Sequence, residues 1–98
     1  MRYGLKESTI IAIQQVFNNH PGIKKVVLYG SRAKGNFRNG SDIDLVIVGP
    51  ELSLRQLNQI ETEIDDLLLP YTFDISLYHY IDNEDLLEHI KRVGIDFM

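Results

Sequence analysis

No cysteine and no tryptophan occur among the 98 residues. Without thiols there can be neither a disulfide framework nor a thiolate metal site. No apolar run approaches the length of a membrane span, and the start MRYGLKEST does not read as a signal peptide. Basic residues are the minority charge: ten Lys and Arg stand against fourteen Asp and Glu, for a formal net charge of -4. With a pI near 5.2, that balance argues against stable binding of long nucleic acid through its phosphates, which favours a basic surface. Repeats, low-complexity segments and linkers are also missing. The rest is ordinary for a soluble globular protein, with 44% hydrophobic and 24% charged residues. We expect one domain over residues 1–98, a single core that buries roughly two-thirds of the unfolded surface, and a cytoplasmic location.

What is present concentrates in residues 28–48, LYGSRAKGNFRNGSDIDLVIV. A strand ending at Tyr29 runs into a small-residue turn, Gly30-Ser31. A basic loop follows, and then a second strand carries Asp42 and Asp44. Residues i and i+2 of a strand share a face about 6.5 to 7 Å apart along the chain, so the two acids point the same way, followed by Val46 and Val48. Ile43, Leu45 and Ile47 line the other face. Carboxylates are costly in a strand that is otherwise apolar, because an unpaired one taken out of water loses several kcal/mol or shifts its pKa until it is neutral. Something positive is expected between them.

Two hard cations suit that position. Mg²⁺ prefers oxygen ligands, takes one or two carboxylates and completes its shell with water and substrate phosphates. The preceding turn supplies a phosphate side. Gly30 lets a ligand approach the backbone, Ser31 offers a hydroxyl and can cap the short turn that follows, and the turn amides form an anion-sized concavity. Arg32, Lys34 and Arg38 place three positive charges there, opposite in sign to the chain as a whole. A blander account also exists: Ser41-Asp42 can close a loop through side chain to backbone bonds, and Gly30-Ser31 can be an ordinary strand end. The conjunction favours a site, since the turn and the acids lie side by side if the two strands pair antiparallel.

The spacing of Gly30 and Ser31, ten residues, Asp42, one residue and Asp44 resembles the signature of the DNA polymerase β nucleotidyltransferase superfamily. More closely, GSRAKGxxRxxSDIDL resembles the minimal nucleotidyltransferase (MNT) domains of bacteria and archaea, relatives of the aminoglycoside nucleotidyltransferases. The likeness covers nearly the whole chain. It implies a third carboxylate on a later strand, for which Asp74 is the candidate, although a structural salt bridge would also explain an acid there.

Along the rest of the chain, Lys6 to Asn19 reads as a helix burying Ile10, Ile13, Val16 and Phe17, with Ile11 widening the stripe. His20-Pro21-Gly22 ends it, and His20 reads as a boundary residue without a partner. Lys24 to Tyr29 is β-branched and aromatic, as strands are. Gly49-Pro50 breaks the second strand. Ser53 and Gln56 form a capping box that opens a helix through Leu69, with Leu54, Leu57, Ile60, Ile64, Leu67 and Leu68 as its core face and Glu61, Glu63, Asp65 and Asp66 on a solvated one. Tyr71 to Tyr80 is a third strand, with Phe73, Ile75 and Leu77 opposite Asp74, Ser76 and Tyr78, and with His79 at its exposed end. The last helix starts at Asp82 or Asn83, packs through Leu86, Leu87, Ile90 and Val93, and stops at Gly94. Neither His79 nor His89 has metal-ligand spacing. Ile95, Phe97 and Met98 leave a large apolar tail that either closes the core or meets another chain.

These elements predict an α/β (α+β) fold with a small mixed sheet and helices packed on it. The link between the first two strands permits an antiparallel pair and the later helical crossover a parallel one. The resemblance implies the polymerase β-like nucleotidyltransferase fold and a reaction. A nucleoside triphosphate, ATP, rests its phosphates on Gly30 and Ser31, helped by Arg32 and Ser41, while Asp42, Asp44 and Asp74 hold two Mg²⁺ ions. Pyrophosphate then leaves as an acceptor hydroxyl attacks the α-phosphorus. It further implies an antitoxin role, with AMP passed to a tyrosine of an all-helical HEPN partner from the adjacent gene. A noncatalytic nucleotide-binding mask and an aminoglycoside-type enzyme acting as a homo-oligomer are the competing expectations.

Overall fold

β-Branched residues dominate two short stretches, KVVLY and IDLVIV. In the computed structural model, which describes residues 1–98, these are β1 (Lys25–Tyr29) and β2 (Ile43–Val48), paired antiparallel with Tyr29 opposite Asp44. A third strand, β3 (Phe73–Leu77), runs parallel to β2 with Asp74 opposite Asp44. Two residues, β4 (Ile95–Asp96), add antiparallel to the far side of β1, giving the order β3-β2-β1-β4. The mixed sheet is as expected, with β4 as an unforeseen fourth strand.

The helices are α1 (Glu7–Asn18), the short α2 (Gly30–Lys34), α3 (Leu54–Asp65) and α4 (Glu84–Val93). Side-chain caps open two of them: Ser53 and Gln56 make the reciprocal capping box of α3, and Asn83, rather than Asp82, caps α4 by accepting from Leu86 N. Alternation along β1 and β2 splits the apolar residues between two faces. Val26, Leu28, Ile43, Leu45 and Ile47 join Ile10, Ile13 and Phe17 of α1 and Ile60 and Ile64 of α3 in the main core. On the opposite face Val27, Tyr29 and Val46 form a smaller cluster with Ile90 of α4. Asp42, Asp44 and Asp74 belong to this thinner side.

Several expectations change in three dimensions. Ile11 and Leu54 are exposed, and α3 stops well before Leu69. There the helix tightens, with Leu67 N donating to Ile64 O and Leu68 N to Asp65 O, and Leu68 turns left-handed at φ 54°, which leaves its side chain 88% exposed. Likewise β3 ends at Leu77, because Tyr78–Tyr80 coils into a 3₁₀ turn and His79 Nε2 lies 3.0 Å from Leu52 O. His20 does have a partner: its Nε2 sits 3.0 Å from Glu63 Oε1, tying the end of α1 to α3 and taking Glu63 off a purely solvated face.

The apolar tail closes the core. Phe97 is 4% exposed, its amide donates to Val26 O at 2.8 Å, and Val26 N donates to Met98 O at 3.0 Å. Gln14 Nε2 of α1 adds a bond of 2.8 Å to Phe97 O. Phe97→Ala should therefore cost about 3–5 kcal/mol by transfer loss and cavity formation. In a chain of this length that lowers Tm by more than roughly 10 °C in calorimetry, whereas an unchanged Tm would mean that the tail is not part of the core.

Candidate active site

Strand register alone brings two acids together. Asp74 is the direct partner of Asp44 in the parallel β2–β3 pair, and Asp42 lies two residues before Asp44 at the mouth of β2. Because side chains of paired residues project to the same side of a sheet, all three carboxylates crowd one end of the face that α4 covers only in part. Asp42 and Asp74 are exposed, and Asp44 is half-buried. Burial, then the Asp74 and Asp42 charges, push the Asp44 carboxyl up to about 6, with the Arg32 charge acting the other way.

Gly30 makes room for this arrangement. Its φ of 74° is in the left-handed region, and a Cβ there would overlap Asp44 Oδ2. The chain leaves β1 at Tyr29, enters α2 directly and leaves it through the left-handed Gly35. Contrary to the expectation from sequence, Ser31 does not cap this helix. Tyr29 holds the N-cap position with no side-chain cap, and Ser31 lies in the first turn with its carbonyl accepting from Gly35 N at 3.0 Å. The backbone reaches α2 straight from an extended strand, so the residue that would cap it is a tyrosine.

Arg32, expected among the phosphate ligands, is instead 3% exposed. Its Nε and Nη2 donate to Ser41 O at 3.1 and 2.9 Å, and Nη1 donates to Tyr3 O at 2.8 Å. The guanidinium also lies over the rings of Phe37 and Tyr71, 5.4 and 5.2 Å from their centroids. Three of its five N–H groups thus tie the N-terminal turn to the loop before β2. Ser41 is drawn into the same scaffold, its Oγ accepting from Arg38 N at 2.9 Å, the loop-closing bond that was the blander expectation. Lys34 and Arg38 stay exposed.

One site neighbour escaped the sequence reading. Tyr29 faces the acids, being opposite Asp44; burial, then Asp74 and Asp44, push its phenol up to about 12, with Ser76 acting oppositely. His89 of α4 packs edge-on against its ring at 6.1 Å. The antiparallel register, once drawn, would have found Tyr29.

Oxygen donors at like-charged, partly desolvated positions have the chemistry to hold a hard divalent cation, which would offset both the burial and the like-charge repulsion that raise Asp44. As the side chains stand, no three acidic or imidazole groups close on one point.

Comparison with known proteins fits this geometry. Residues 12–97 match the family described as Polymerase beta, Nucleotidyltransferase. A crystal structure of a toxin–antitoxin complex with AMP-PNP superposes with a TM-score of 0.73 at 20% identity, over 96% of this chain and 73% of that one. The tri-AMPylated Shewanella oneidensis HEPN toxin in complex with MNT antitoxin gives 0.71 at 14% identity, over 96% and 72%. The toxin–antitoxin MntA-HepT gives 0.70 at 14%, over 95% and 72%. At such identities the likeness is one of fold. A 40-residue stretch is also 38% identical to the DNA mismatch repair protein MutL of Bacillus cytotoxicus, 41% of this chain but 6% of that protein's length.

A carboxyl that protonates near 6 when folded and near 3.9 when unfolded makes the folded chain the better proton acceptor between those values, so stability falls as pH rises through that window. Asp44→Asn removes this slope. Without divalent cations the variant should be more stable than the parent at pH 7.5 by on the order of 1 kcal/mol, after allowing for solvent screening of a half-exposed group. The difference should vanish near pH 4 in urea titrations, and a pH-independent difference would contradict the assignment. Gly30→Ala should destabilise the fold by about 1–3 kcal/mol through its strained backbone and displace the Asp44 carboxylate, visible as a changed Asp44 titration by NMR.

Proposed function

The chain belongs to the polymerase β nucleotidyltransferase family, and from that premise we propose that it moves AMP from ATP to a hydroxyl group, acting as the antitoxin of a HEPN-type toxin from the adjacent gene. The acceptor in this reading is a tyrosine of that all-helical partner, and the setting is cytoplasmic. The observation that carries it is the placement of Asp42, Asp44 and Asp74 on one face of the sheet beside the bare backbone of Gly30. A module that only masked its partner would need no such concentration of mutually repelling acids.

Asp42 and Asp44 face the triphosphate, whose β and γ phosphates lie along the Gly30-Ser31 turn, and the missing Gly30 side chain is what lets the Asp44 carboxylate stand against that turn. Arg32 does not reach out to them; it fixes the loop that sets Asp42 and lends its charge from behind. Two Mg²⁺ ions bound by Asp42, Asp44 and Asp74 would neutralise phosphate charge and lower the pKa of the acceptor hydroxyl. Asp74, exposed on the outer strand, stands where an incoming acceptor arrives and can take the hydroxyl proton. Tyr29 closes the floor of the site from below, its phenol kept neutral by its surroundings.

No helix is long and apolar enough to cross a membrane, and the solved complexes of similar fold pair a chain of this architecture with a HEPN toxin. Incubating the chain with Mg²⁺, ATP and the adjacent gene's product should add AMP to that product, read by intact mass. Asp42→Asn should slow the transfer by roughly a hundredfold or more, since removing a metal-holding carboxylate forfeits several kcal/mol of charge stabilisation. Undiminished labelling by Asp42→Asn would remove the catalytic assignment, and tight binding without labelling would favour the mask.

A further inference from the structure

The outer edge of β3 has no partner within the fold. In the order β3-β2-β1-β4 it is a terminal strand, and its sequence FDISL contains none of the lysines or prolines that commonly protect such edges. Ile43 N donates to Thr72 O at 2.9 Å. By the alternation of a parallel ladder, Phe73 and Ile75 then turn their amides and carbonyls outward. They border a groove of about 360 Å³ between α3 and β3, whose walls include Ile64, Tyr71, Phe73 and Ile75 and whose α3 side carries Glu61 and Asp65. Hydrogen-bonding backbone, the part-exposed rings of Tyr71 and Phe73 and an acidic rim thus lie side by side, next to Asp74.

Building on the transfer reaction above, we infer that this edge is where the acceptor docks: an extended, basic segment of the acceptor protein, lying outside its helices, adds to β3 as a fifth strand and presents its hydroxyl residue opposite Asp74. Strand addition recognises backbone through the unpaired edge and side chains through alternate pockets. A residue directly opposite Asp74 shares its face, with Cβ atoms about 4.5–5.5 Å apart, so its hydroxyl is on the acids' side of the sheet. The residues before and after it point the other way, into the groove. There aliphatic stems meet the part-exposed Tyr71 and Phe73, and Lys or Arg head groups meet Glu61 and Asp65, in keeping with a chain of formal charge -4. The acceptor oxygen bonds to the α-phosphorus, the bond to pyrophosphate breaks with its electron pair on the leaving group, and the hydroxyl proton passes to Asp74. The acceptor class is therefore a tyrosine, serine or threonine flanked on both sides by basic residues in extended chain.

The probe is the peptide Val-Thr-Lys-Tyr-Lys-Thr-Val, added at millimolar concentration to the whole chain. Amide hydrogen exchange at Phe73 and Ile75, followed by NMR, should slow by at least about tenfold on saturation. Glu61→Lys combined with Asp65→Lys should weaken peptide binding about tenfold or more while leaving ATP affinity unchanged. A peptide N-methylated at alternate amides, which removes its edge-facing donors, should lose the protection. The inference fails if no peptide binds at millimolar concentration, if Phe73 and Ile75 exchange freely while it is bound, or if neither charge reversal nor N-methylation matters. Failure of the transfer reading looks different: the edge binds peptide, yet no acceptor gains AMP.

Discussion

Three carboxylates at one end of a sheet face repel one another, and the backbone gives them no way to separate. Asp44 and Asp74 are opposite each other because β2 and β3 pair in parallel at that register, and Asp42 stands two residues before Asp44 at the entrance to β2, next to the Ser41 carbonyl that Arg32 holds. Burial first, and then that repulsion, leave an Asp44 carboxyl that holds its proton up to about 6. Such a cluster persists only where the surrounding structure fixes it independently. Here the main core lies on the opposite face of the same strands, where Ile43, Leu45, Ile75 and Leu77 are buried against α1 and α3. Sliding either strand to relieve the acids would flip its apolar residues out of that core, at a far larger cost.

Arg32 shows how the fold supplies opposing charge without exposing it. A planar guanidinium can serve two carbonyls from distant segments while its faces meet aromatic rings, and Arg32 does so with Ser41 O, Tyr3 O, Phe37 and Tyr71. The loop that delivers Asp42 is thereby tied to the N-terminal turn and to the approach to β3. Its charge still reaches Asp44, lowering a pKa that its like-charged neighbours raise. The arginine of the GSR triplet thus acts on the site through position and field.

Local chemistry is readable in the sequence, whereas contacts between remote segments are not, apart from Asp74, which the family resemblance places with the first two acids. Alternation put Ile43, Leu45 and Ile47 on one side and the acids on the other, and Ser53-Gln56 announced the start of α3, because both depend on residues a few positions apart. The inward turn of Arg32 depends on Tyr3 and Tyr71, which are remote in sequence, so its place beside a phosphate-like turn does not by itself reveal it. His20 and Glu63 meet only because α1 and α3 pack together. The two-residue β4 is too short for any periodicity, and it exists because β1 offered an edge to a tail whose phenylalanine was already bound for the core. Leu68 carried an apolar residue past the end of its helix into a left-handed turn, where burial was no longer possible.

The two edges of the sheet differ in a way that bears on function. On the β1 side β4 covers only two residues, but it is anchored by Phe97 and bounded by Lys25 and Asp96, which pair at 3.5 Å. On the other side β3 offers five residues, one of which is the third acid. An open edge is a liability for a soluble protein, since it invites pairing with any extended chain. Retaining it beside the acids makes physical sense where such pairing is the purpose: the same ladder that would recognise an added strand would also fix its pleat, and the pleat decides which side chain reaches the acid face. Asp74 then links the two tasks, with its backbone turned inward to β2 and its carboxylate standing where the added strand's side chain would arrive.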